Sequence, residues 1–99
     1  MKVVVAKSFF ARAKGLMFKK DFDGVMVFVF SKPVNLSFHT FFMRFPIDIY
    51  FFLDKKLVYE KINVKPWKII KPNTNYNLVA EVKHGTFNKK EILRLMHSF

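Results

Sequence analysis

The middle of the chain carries hydrophobic patterns that are typical of β-strands. Residues 25–30 are apolar at every position, which predicts a strand buried on both faces. Apolar residues alternate with others over residues 47–53, which predicts a strand with one inward face. The turn residues 54–56 lead into a second extended segment at 57–63, so these segments predict a β-hairpin. The residues expected in the core are Phe28 and Ile49.

Shorter segments complete the predicted order of elements. Further extended segments are predicted at residues 3–6, 37–43, 67–71 and 77–83. Apolar residues at helical spacing predict two short helices, one over residues 9–14 and one that starts at Asn88. The fold class is therefore mainly β with two short helices (α+β). A small antiparallel barrel or a strongly curved sheet would bury its apolar faces.

Composition limits the class of protein. The 99 residues predict a single domain over residues 1–99, and a hydrophobic content of 52% with 14 Phe excludes a disordered chain. The absence of cysteine excludes disulfides, thiolate zinc sites and cysteine nucleophiles. Because the sequence has no run of about 20 apolar residues, we expect a soluble, cytoplasmic protein without a membrane partner.

Three segments together resemble a known protein family. Residues 8–18 carry a Ser-x3-Arg-x2-Gly-Leu-Met-Phe pattern, residues 39–48 contain His, Met and Pro-Ile-Asp, and residues 79–86 contain Glu-x3-Gly-Thr. In this order they are similar to the signatures of the domain of unknown function 192 family, also called the uncharacterised ACR family. The resemblance implies a compact β-rich domain of an archaeal-type member, and it implies no particular function. Residues 91–97 replace the Gly-Asp pair and closing strand of many members.

Charged residues in these segments form the first candidate site: Arg12, His39, Arg44, Asp48 and Glu81. The two carboxylates are isolated among apolar residues, and the chain has only three arginines. One interpretation is a structural ion pair, in which at least one of these arginines holds one of the carboxylates. The other is a polar site in an apolar groove or pocket that binds a small molecule or peptide.

A basic stretch forms the second candidate site. Its residues are Lys61, Lys65, Trp67, Lys68, Lys71 and Tyr76, in a chain of formal net charge +11. Lysines beside aromatic rings suit single-stranded nucleic acid, because cations neutralise phosphates and rings stack on bases. The other interpretation is a solvated lysine-rich surface without a partner, with Trp67 partly buried in the core.

Catalytic chemistry has little support in the sequence. The three histidines lack the spacing of a helical metal site, and no phosphate-binding loop or nucleophile elbow is present. We therefore predict no catalytic residue, no metal and no cofactor. An enzyme of unknown reaction stays the third function class, after a binding domain and a nucleic-acid-binding module.

Overall fold

The computed structural model describes residues 2–6 and 15–99. Seven strands and one helix lie in this part of the chain, and none of it is a helix long and apolar enough to cross a membrane. The elements are β1 (Lys2–Ala6), β2 (Gly24–Val34), β3 (Phe38–His39), β4 (Ile47–Leu53), β5 (Lys56–Val64), β6 (Ile69–Ile70), β7 (Tyr76–Lys83) and α1 (Lys89–Met96).

Five strands form the main sheet in the order β1, β2, β7, β4, β5, so β7 lies at its centre. β1 runs parallel to β2, whereas the other neighbours are antiparallel. Of the two predicted closures, a small barrel or a strongly curved sheet, the described residues form no closed barrel, because β1 and β5 lie at opposite edges of the sheet. β3 and β6 form a separate two-stranded sheet. The predicted helix at residues 9–14 lies outside the described residues.

The sheet is covered on both faces. On one face, Ile92 and Met96 of α1 join the cluster that contains Tyr50 and Phe52. On the other face, the Phe38 ring of β3 packs edge-on against Phe28 and Phe51, with ring centroids 5.4 Å apart in each pair. Both faces of β7 are therefore buried over residues 78–82, so a charged side chain in this part of the strand is withdrawn from water.

Several local predictions are confirmed. Phe28 and Ile49 are buried in the core. β4 and β5 form the predicted hairpin, and the positive φ angles of Asp54 and Lys55 (48° and 71°) are those of a type I′ turn. Asn88 caps the N-terminus of α1, and its side chain accepts a hydrogen bond from the Glu91 backbone N–H.

The strand predicted at residues 37–43 is shorter than expected. Only Phe38–His39 is extended, because the next residues turn away to meet another loop. Thr40, which is fully buried, accepts a hydrogen bond from the Lys68 N–H and donates one to the Lys65 carbonyl, at 2.8 and 2.7 Å. Phe42 then takes a left-handed conformation with φ 62°. Thr40 thus joins two surface loops.

Candidate functional site

Glu81 lies on the central strand and faces the side of the sheet opposite α1. It is paired in register with Met26 of β2 and Ile49 of β4, and its side chain is 1% exposed. Within residues 2–6 and 15–99, no group forms a hydrogen bond with its Oε1 atom. A carboxylate oxygen that is withdrawn from water without a donor is expensive to bury, so the surroundings of Glu81 are of functional interest.

An open cavity of about 420 Å³ lies against Glu81. Its walls are mostly apolar and include the side chains of Met17, Phe28, Phe30, Phe38 and Met43. Cavities that bind small molecules are commonly apolar concavities with a few polar groups. The arrangement has this composition, and we refer to it as the Glu81 cavity.

Gly15 keeps the space beside the carboxylate open. Its φ is +48°, and a Cβ at this position would lie 3.2 Å from Phe28 Cζ and 3.6 Å from Glu81 Oε1. Glycine adopts this conformation without the steric cost that a side chain adds. A side chain at this position would press on the Phe28 ring, while its Cβ would lie at an ordinary van der Waals distance from the carboxylate.

Burial controls the protonation of Glu81. Because the cavity wall and the sheet remove water from the carboxylate, burial raises the pKa of Glu81 from its ordinary value of 4.5 to about 8. Burial thus favours the protonated form of the Glu81 carboxyl group. A cation that enters the cavity would favour the ionised form.

Two other ionisable side chains line the described part of the cavity, His39 and Lys32. The Phe41 backbone N–H donates a hydrogen bond of 3.1 Å to His39 Nδ1, so the ring carries its proton on Nε2. The same ring stacks on Phe41, with centroids 4.8 Å apart. Lys32 is exposed at the end of β2.

The two carboxylates of the first candidate site are not brought together. Asp48 is paired with Val82, one position along from the pair between Ile49 and Glu81, so the two carboxylates lie on opposite faces of the sheet. Arg44 is exposed and, among the described residues, forms no ion pair with either carboxylate. The prediction was that at least one of Arg12 and Arg44 contacts a carboxylate, and Arg44 does not provide that contact. Arg12 lies outside the described residues, and its pairing with a carboxylate stays a prediction.

Asp48 has a different partner. Its Oδ1 atom lies 2.7 Å from His84 Nδ1 and accepts a 2.8 Å hydrogen bond from the Asn63 backbone N–H. Asp48 is buried, whereas the His84 side chain is 39% exposed. Asp48 and His84 line a surface cleft together with Tyr50 and Glu60. Burial and the nearby carboxylates of Asp48 and Glu60 raise the pKa of Tyr50 to about 12.

Sequence reasoning missed the role of His84. One feature of the sequence could have indicated it. His84 directly follows β7, and Asp48 is the second residue of β4. Because β4 and β7 are antiparallel, the end of β7 lies beside the start of β4. Among the described residues, no three His, Asp or Glu side chains are grouped to hold a metal ion.

Aromatic rings that do not line the cavity form a continuous exposed surface. Trp67 is 59% exposed, Phe18 57% and Phe42 47%. Phe42 contacts both Phe18 and Trp67, with ring centroids 5.2 and 4.6 Å apart, and Trp67 also stacks on Phe41 at 5.5 Å. We call Phe18, Phe42 and Trp67 the aromatic surface. The prediction that Trp67 is partly buried in the core is wrong, because Thr40 holds its loop at the surface.

All three residues of the aromatic surface have left-handed backbone conformations. Their φ angles are 65° at Phe18, 62° at Phe42 and 67° at Trp67. Bulky residues seldom adopt this conformation, which costs about 1–2 kcal/mol for each residue with a side chain. Backbone hydrogen bonds from Phe18 N to Phe42 O and from Trp67 N to Thr40 O, each 3.0 Å, hold it in place.

The second candidate site is only partly assembled. Lys65 and Lys68 are exposed beside Trp67, while Lys61 and Lys71 line a separate shallow groove with Ile69. Tyr76 cannot stack on a base, because its ring is fully buried and its hydroxyl donates a 2.7 Å hydrogen bond to the Leu36 carbonyl. Burial raises the pKa of Tyr76 to about 12. Tyr76 is thus a core residue.

The comparisons with known proteins identify the family. The model of the family described as Uncharacterized ACR, DUF192, matches residues 1–94. The chain belongs to the DUF192 family. A UPF0127 protein of Pyrococcus horikoshii is 36% identical to this DUF192 chain over 84 residues, which cover 84% of the chain and 73% of that protein. A UPF0127 protein of Pyrococcus furiosus is 33% identical over 87 residues, 86% of the chain and 74% of that protein.

A solved structure shares the fold. A protein of unknown function from Novosphingobium aromaticivorans matches with a TM-score of 0.78 and 22% identity, over 94% of this DUF192 chain and 68% of that one. The predicted family is confirmed by the family model and the two relatives, and this structure confirms the shared fold.

Proposed function

We propose that this DUF192 domain binds a small molecule in the Glu81 cavity, and that the ligand has an apolar body and a protonated amine at one end. The observation that carries the proposal is the buried carboxyl group of Glu81, whose Oε1 has no hydrogen-bond partner among the described residues. An ammonium group would supply both the donor and the compensating charge.

The cavity walls support an apolar body. Phe28, Phe38 and Met43 present rings and a thioether, and thioether side chains adapt to ligands of different shape. The volume of about 420 Å³ lies within the usual range of small-molecule pockets. Only two or three polar groups would fix the ligand's orientation.

Three probes of the same size test the proposal: 4-phenylbutylamine, 4-phenylbutanol and 4-phenylbutyrate. We expect the amine to raise the melting temperature and the carboxylate to have no effect, because the carboxylate would meet Glu81 without compensation. A ligand at ten times its Kd adds about 1.4 kcal/mol to the free energy of unfolding. In a domain of this size that corresponds to a shift of about 6 °C or more.

Proton release gives a second test. The amine has to displace the Glu81 proton. As pH increases, its affinity should therefore rise about tenfold for each pH unit until pH reaches the Glu81 pKa of about 8, and it should be constant above that pH. Glu81→Gln should abolish both amine binding and this pH dependence. Glu60→Gln makes the same chemical change in a residue paired with Lys89 on the other face, and it should change neither. Equal stabilisation by all three probes would contradict the proposal.

A further inference from the structure

None of the three residues of the aromatic surface lines the Glu81 cavity, and their composition points to a different kind of ligand. We propose that Phe18, Phe42 and Trp67 bind single-stranded nucleic acid by stacking on its bases. The three rings are in contact with one another and each is about half exposed or more. Stacking of bases on rings is insensitive to sequence, because every base presents a π-face.

The backbone conformation at these rings indicates that their exposure serves a function other than stabilising the fold. Three bulky residues in left-handed conformations each cost folding free energy, and glycine or asparagine would fit these positions better. Strain of this kind is characteristic of functional sites, where the surrounding structure holds it. Here Thr40 and the hydrogen bond from Phe18 N to Phe42 O hold the loops that carry the rings.

Charge decides which ligand fits. Four exposed cations lie within two residues of a ring in the sequence: Lys20, Arg44, Lys65 and Lys68. None of them forms an ion pair with another described residue. The acidic residue nearest in sequence, Asp21, is already bound by Lys83 at 2.7 Å. A neutral sugar or a second copy of this chain, with its formal charge of +11, would gain nothing from these cations. A phosphate backbone would be neutralised by them.

The fluorescence of Trp67, the single tryptophan, reports binding directly. The probe is a 12-nucleotide oligo(dT), titrated at 50 and 200 mM salt, with a 12-base-pair duplex as comparison. We expect quenching by the single strand. If the four cations neutralise three or four phosphates, the affinity should fall about 20- to 50-fold between the two salt concentrations. The duplex should bind more weakly, since its bases are already stacked.

Matched variants distinguish base stacking from non-specific hydrophobic binding. Phe42 and Ile62 are both 47% exposed. Phe42→Asn places a residue that tolerates the left-handed conformation, so the fold should be retained while the affinity falls about 5- to 100-fold. Ile62→Asn, which removes an equally exposed apolar side chain outside the aromatic surface, should leave the affinity unchanged.

Charge variants complete the test. Lys68→Ala should reduce the dependence of log K on log salt by about 0.7, the value for one phosphate on a single strand. Lys90→Ala, on α1 across the sheet, should not change it. The proposal is overturned by an absence of quenching at 50 mM salt, by equal binding of the duplex, or by equal effects of the paired variants. Trp67 emission that shifts with protein concentration alone would instead identify a contact between two copies.

Discussion

Replacing Glu81 by glutamine tests whether the buried carboxyl group behaves as its surroundings require. The folded protein holds the Glu81 proton up to a pKa of about 8, whereas the unfolded chain releases it near 4.5. Between these values the folded state binds more protons, so the free energy of unfolding falls as pH rises. The contribution of the Glu81 proton to the free energy of unfolding is fully present below pH 4.5 and is lost as pH rises through the folded-state pKa of about 8.

The magnitude follows from the two pKa values of Glu81. At about 1.4 kcal/mol for each pH unit, the full loss is about 5 kcal/mol, of which about 3–4 kcal/mol falls between pH 5 and pH 8. This is a large part of the 5–15 kcal/mol or so that stabilises an ordinary domain. Glutamine cannot ionise, so in Glu81→Gln this contribution to the pH dependence disappears.

Urea denaturation of the wild type and Glu81→Gln at pH 5, 6, 7, 8 and 9 measures the difference. We expect the stability of the wild type relative to the variant to fall steadily up to pH 8 and then to level off. Glu60→Gln is the control, because the Glu60 carboxylate is partly exposed and bound by Lys89. A relative stability that rises with pH would refute the reasoning. It would show an ionised, paired Glu81, as the predicted contact with Arg12 requires.

Three further substitutions test the packing and the loops. Phe28→Ala should cost about 3–5 kcal/mol in urea denaturation, because Phe28 is 1% exposed, and an unchanged stability would contradict its place in the core. Thr40→Val should lower the free energy of unfolding by about 1–3 kcal/mol and shift the Trp67 emission, because it removes the hydroxyl that holds both loops. Unchanged emission would show that Thr40 does not hold the loop of Trp67. Asn88→Ala should lower stability by about 1 kcal/mol in thermal denaturation, and no change would mean that the cap of α1 is dispensable.

Local features of the fold were predictable from the sequence. The hairpin of β4 and β5 follows from two apolar segments around a short turn, and the cap of α1 follows from Asn88 and Glu91. The order of strands was not predictable, because it depends on contacts between distant segments. The parallel pairing of β1 with β2, which leaves the sheet open, has no signal in either strand alone.

The candidate site shows the same division. Alternation in β4 correctly places Asp48 away from the face that contains Ile49. Whether Glu81 shares the face of Asp48 depends on the register between β4 and β7, and a shift of one residue would reverse the answer. Trp67 was misassigned because composition favours burial of large rings, whereas the hydrogen bonds of Thr40 hold its loop at the surface.

The central place of β7 has a consequence for synthesis of the chain. Its residues, Tyr76–Lys83, are made after every other strand, yet they lie between β2 and β4. Until they leave the ribosome, β2 and β4 have no neighbour on that side, and their apolar edges are open to pairing with other chains. Folding therefore waits for the last strand, and pairings this distant in sequence form slowly. A nascent chain that stalls before residue 76 should be the form most prone to aggregation.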